Sequence, residues 1–243
     1  MKKKILLVLT TMFACVTLHA QFAQMSLLTP HYYPGEVYFK DGHSEEFAEV
    51  ELPRVGKSEL GVKKNAGDKG HKSIDAESII GIKIWHKDFP DKPHILYYIH
   101  ARKALMNSDH QWGYPYAESA WGIVFQCEQN YQINKKNGDL DYVKFVGGSA
   151  PDTPTLFYLM RPEWNQAELL LVNNSWAIKK KVATYFAENA EIATAIKKGK
   201  LKAGDLQYIL DEMAGGQKME MPIKAIPVVK SESTSNGVVG DDE

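Results

Sequence analysis

Apolar and polar residues alternate with a period of two through much of residues 35–173, and with a helical period after that. A strand points successive side chains to opposite faces, so the first region predicts strands. Over residues 120–128, Trp121, Ile123, Phe125 and Cys127 fall on one face. Gly122, Gln126 and Glu128 fall on the other, with Val124 the exception. Residues 36–40 run into Asp41-Gly42, a hairpin turn whose central positions favour positive φ, and the return is 47–52, stopped by Pro53. Segments 60–64 and 71–74 flank a glycine-containing loop, and 79–85 and 95–99 are separated by Pro90 and Pro93. Asn137-Gly138 marks a second hairpin, joining 131–135 to 139–146. Residues 155–160 and 168–172 are apolar on both faces, which suits central strands. About nine strands with short connections predict an α+β protein, a mostly antiparallel β-sheet (sandwich or partly closed barrel) followed by C-terminal helices.

The period changes after Asn174-Ser175, an N-cap pair. Ile178, Val182, Tyr185 and Phe186 recur at helical spacing up to Glu188. Asn189 can cap a helix carrying Ile192 and Ile196, and Leu206, Ile209, Leu210 and Met213 form a third stripe. The organisation expected is a β-rich domain over 21–173, helices packed on it over 174–216, and an extended to disordered tail over 217–243.

The first twenty residues supply a location. Lys2, Lys3 and Lys4 precede an apolar run over 5–13 and a small residue at Ala20, the pattern of a secretory signal peptide over 1–20. That run is shorter than the ~20 residues that span a bilayer. The expectation is an exported protein of the periplasm or cell surface. A degenerate lipobox, Met12-Phe13-Ala14-Cys15, offers lipid anchoring at Cys15 as the minority alternative. Cleavage after Ala20 would take the net charge from −1 to −4, which does not favour a nucleic-acid partner. It would also leave Cys127 as the lone cysteine, so the core rather than a disulfide must hold the fold.

Three stretches together carry a resemblance: the strand–Asp41-Gly42–strand opening, Lys72-Ser73-Ile74 with Ile79-Ile80-Gly81, and the closing Tyr185-Phe186 … Ile196 … Gly199 … Asp205-Leu206. They resemble exported, functionally uncharacterised β-rich proteins of Gram-negative bacteria with a short C-terminal helical segment. The resemblance covers about two thirds of the chain, and its motifs are structural. It implies location and fold, and no reaction.

The candidate ligand-binding residues lie in 102–119, expected as a long loop broken by Gly113 and Pro115. They are Asp109, His110, Trp112, Tyr114 and Tyr116. Flat aromatic faces beside hydrogen-bonding groups suit sugar rings or peptide side chains. The competing reading is that the aromatics fold back onto a sheet face. His94 and His100 lie about 20 Å apart along one strand, so they cannot share an ion, and no metal-ligand spacing or cofactor motif is present. No Gly-x-Ser-x-Gly elbow exists, and Cys127 reads as a core residue. Lys179, Lys180, Lys181, Lys197 and Lys198 form a basic helical surface that suits contact with a membrane surface or an acidic partner, with Ile178, Val182 and Phe186 expected on the inner side. The function expected is a non-enzymatic envelope protein that binds a partner protein or a glycan through the aromatic loop. The alternative is a hydrolase of envelope polysaccharide or peptide, with acidic residues such as Glu118, Glu128, Asp139 and Asp141 near that loop.

Overall fold

The computed structural model describes residues 30–54, 56–102, 110–127, 131–142, 154–173 and 175–216. The expected signal peptide, Cys15, Asp109, Glu128, Asn174 and the tail lie outside them. Among the described residues thirteen strands form, eleven of them in one open antiparallel sheet ordered β13-β12-β11-β8-β7-β6-β5-β1-β2-β3-β4. The fold class is therefore the mostly antiparallel sheet with late helices that the patterning predicts.

The opening hairpin joins β1 (Tyr32–Phe39) to β2 (Ser44–Glu51), with Gly42 at φ +94° in the turn. The chain continues through β3 (Glu59–Lys63), β4 (Lys72–Asp75) and a 3-10 turn (Ala76–Ser78) capped by the Asp75 side chain. It returns beside β1 as β5 (Ile79–His86). The next strand, β6 (Phe89–His100), begins earlier than expected and runs through Pro90 and Pro93. Its pairing with the following strand starts only at Tyr97, so neither proline removes a bond from that ladder.

β7 (His110–Ser119) is the main departure from expectation: from His110 on, the anticipated loop is a strand in the middle of the sheet. It pairs with β6 through residues 110–113, then with β8 (Gly122–Cys127) from Tyr114 on, and a bulge lies between Pro115 and Ala117. Pro115 thus falls where β6 no longer pairs, so its missing N–H removes no bond from the β6 ladder. Neither Gly113 nor Pro115 breaks the strand.

The Asn137-Gly138 hairpin forms as a separate two-stranded sheet, β9 (Tyr131–Ile133) and β10 (Leu140–Tyr142). β11 (Leu156–Met160), β12 (Glu168–Val172) and β13 (Ser175–Trp176) complete the main sheet. Among the described residues the helices that follow are α1 (Lys179–Tyr185), α2 (Ala190–Lys197) and α3 (Leu206–Met213). Asn189 caps α2 through bonds from Glu191 N and Ile192 N, as its position predicts. Ser175 belongs to β13, and the N-cap position of α1 is Ile178, which makes no side-chain cap bond.

The sheet curls in two opposite senses. On one face, Val37, Ile82, Leu96, Tyr98 and Trp112 pack with Leu60, Val62 and the β9–β10 hairpin. Trp112 Nε1 donates to the carbonyl of Lys57, just before β3, at 2.9 Å, closing this first curl. Beyond β7 the same face carries the helices on Val124, Phe157, Leu159 and Leu171. The opposite face there curls on itself. Ala167 N donates to His100 O at 2.8 Å and Arg102 N to Ala167 O at 2.9 Å, so the end of β6 meets the start of β12. Tyr97, Ile99, Phe125, Cys127, Leu156 and Tyr158 are enclosed by that second curl.

Candidate ligand-binding site

His110, Trp112 and Tyr114 alternate along β7 and therefore share the face of the first curl. Trp112 is 1% exposed, and its ring lies 5.1 Å from that of Tyr98. Tyr114 is half-buried, with its ring edge-on to Tyr131 at 6.2 Å. Tyr116, the residue within the bulge, meets Phe157 edge-on at 5.1 Å and keeps 39% exposure. Of the four described candidates it is the one aromatic open to solvent, so the expected aromatic surface does not form as a unit. The fold-back reading describes Trp112 and Tyr114.

His110 has a different setting. Its register partner is His100 and the two rings stack at 4.7 Å, while Tyr98 stacks on the other contact at 5.1 Å. Nε2 of His110 is 3.1 Å from Glu77 Oε1, which also accepts from Tyr98 Oη at 3.4 Å. Lys40 Nζ stands 3.7 Å from the other oxygen of Glu77. Burial first, and the Glu77 carboxylate second, push the Tyr98 phenol up to about 12, so it remains a donor. Lys40, Glu77, Tyr98, His100 and His110 thus make one polar cluster at the ends of β6 and β7.

This cluster borders a cavity of about 520 Å³ on the opposite face. Its walls are Ile80, Tyr97, Ile99, Ile123, Phe125 and Met160, and Lys40, Tyr98 and His100 stand at its margin. Three local features shape it. A register shift beside Phe39 turns Ile80 toward this face. Gly113, opposite Tyr97, has no side chain, so Tyr97 and Phe125 meet across β7 with ring centroids 5.5 Å apart. A Cβ on Gly113 would stand 2.9 Å from Cys127 Sγ and 3.0 Å from Phe125 Cβ. Met160 ends β11 and leads to Arg161, which also borders the cavity. The Arg161 guanidinium is committed elsewhere: it lies 4.4 Å over the Trp121 ring and bonds Glu188 at 2.9 Å.

The other candidates resolve separately. Cys127 is buried in the second curl, as its strand parity predicts. Its neighbour by alternation, Trp121, instead sits in the turn before β8 and stacks on Phe186 in the helix core. Among the described residues no three histidine, cysteine or acidic side chains group as a metal site. His94 Nε2 is 2.7 Å from Gly138 O, a structural tie. Asp139 pairs with Lys92, and Asp141 accepts from Asn134. Lys179, Lys180, Lys181, Lys197 and Lys198 are all exposed, with Lys181 bonded to Glu168 at 3.1 Å. Ile178 departs from expectation at 61% exposure, because it precedes α1 and leaves Val182 and Phe186 to face the core.

The cavity walls were visible in the sequence as strand residues, but nothing marked them as a site. Gly113 between two aromatic residues was the available signal. The class that fold and site define is a curled antiparallel β protein with a helical cover and an apolar, polar-rimmed cavity. No protein-family model matches the chain, and no curated protein or solved structure is significantly similar to it.

Proposed function

We propose that this chain is an exported, non-enzymatic binding protein of the cell envelope, and that its ligand is a small apolar molecule held in the second curl of the sheet. The cavity carries this reading. Its volume lies inside the range of about 300–1,000 Å³ typical of small-molecule sites, and apolar walls with a few polar groups at one margin are the usual composition of such sites. The N-terminal pattern of residues 1–20 supports export. The exposed lysines of α1 and α2 support a secondary contact with an acidic membrane surface. A glycan or partner-protein site on the aromatic residues of β7 has less support, since Trp112 is buried.

The test is titration with N-phenyl-1-naphthylamine, an uncharged apolar fluorophore. Saturable enhancement at one site per chain is expected from the intact protein. Ile123→Trp, which fills the cavity from its wall, should remove that enhancement while the circular dichroism spectrum is retained. A protein that gives no saturable signal, or a filled variant that binds equally well, would overturn the reading.

A further inference from the structure

We infer that the ligand is a single-chain amphiphile with a monoanionic carboxylate head, its tail along the apolar walls and its head at Lys40. This inference rests on the binding reading above and adds the ligand class to it. The apolar surface is continuous from Ile123 and Phe125 to Tyr97 and Ile99, which suits a chain of methylene groups. Lys40 and Arg161 are the charged residues of the lining, so a ligand fully apolar at both ends would leave apolar surface against a charged side chain.

The two cations that border the cavity differ in availability. Arg161 is held by Trp121, Glu163 and Glu188, and its charge is already met. Lys40 is fixed by its backbone, where its N–H donates to Ser78 O at 2.9 Å, while its side chain is 55% exposed. Its contact with Glu77 is long, at 3.7 Å, and Glu77 has closer partners in His110 and Tyr98. The Lys40 ammonium can therefore turn to a ligand anion while Tyr98 still donates to the Glu77 carboxylate. One exposed cation complements one negative charge, and its charge-assisted hydrogen bond would select a carboxylate over a neutral head.

The experiment displaces N-phenyl-1-naphthylamine from the full chain with dodecanoate, dodecan-1-ol or dodecylamine, at a pH where the acid is ionised. Dodecanoate should displace the probe at about tenfold lower concentration than the alcohol. Lys40→Met should bring acid and alcohol together, and Lys40→Glu should invert the order in favour of the amine. Each ratio is taken within one variant, so any change in the cavity itself cancels. Acid and alcohol that compete equally in the intact protein, or a ratio unchanged in both variants, would overturn the head-group inference and leave the cavity reading standing. Failure of the fluorophore itself to bind would overturn both.

Discussion

Gly113 sets how two distant aromatic side chains meet. It faces the second curl, where Tyr97 from β6 and Phe125 from β8 touch across it. Any side chain at this position must enter space that Cys127 Sγ and Phe125 Cβ already fill. Gly113→Ala should destabilise the fold by about 1–3 kcal/mol, the usual cost of overpacking a close-packed core. Urea denaturation would read this as a lower midpoint at an unchanged slope. A midpoint equal to that of the parent would show that the contact is not tight. In the sequence, the same glycine and the nearby Pro115 look like loop punctuation. They are instead the adjustments that let one strand serve two curls. Residue type alone could not separate those readings, because a glycine at a close approach and a glycine in a loop are the same letter.

At the scale of elements, what was legible is what local chemistry determines. The Asp41-Gly42 and Asn137-Gly138 turns and the Asn189 cap form at the expected residues. The face of Ile123, Phe125 and Cys127 also forms as its alternation predicts. The attachment of α1 to the sheet was not legible, since it runs through residues far apart in the chain. Glu168 at the start of β12 accepts from Lys181 at 3.1 Å and Tyr185 at 2.9 Å, and pairs with Arg102 at 2.8 Å. Burial alone would push the Glu168 carboxyl up, but the bonds from Tyr185 and Lys181, with the Arg102 charge, bring it below its ordinary value of 4.5. A carboxylate depressed in the folded state adds stability above its unfolded pKa. That stability is lost as pH falls from 4.5 through the folded value. Glu168→Gln should therefore flatten the decline of the urea midpoint on the acid side of pH 4.5. If variant and parent decline in parallel there, this carboxylate does not link the helix to the sheet.

On the scale of the whole molecule, the reversal of curl at β7 decides where the cavity lies, and it was beyond the reach of periodicity. Alternation tells which residues share a face, but not which distant strands close over that face. The doubly apolar character of residues 156–160 fits a strand with the helix core on one side and the second curl on the other. Two enclosed faces also bury many tyrosines, and this gives the molecule a pH response of its own. Burial is the leading cause that raises the phenols of Tyr32, Tyr33, Tyr38, Tyr98, Tyr158 and Tyr185 above their ordinary value of 10.0. Once unfolded, the chain releases these protons near pH 10, while the folded chain still holds them. Above that pH the folded state therefore binds more protons, and stability must fall as pH rises. The raised ammonium of Lys181, bonded to Tyr185 and Glu168, acts in the same direction. The urea midpoint should hold below about pH 9 and then drop steeply, with tyrosinate absorbance lagging free tyrosine and rising together with unfolding. Tyr98→Phe, which removes a phenol held up to about 12, should make that drop shallower. Absorbance that follows free tyrosine while the midpoint stays constant would mean that neither curl excludes water from its phenols.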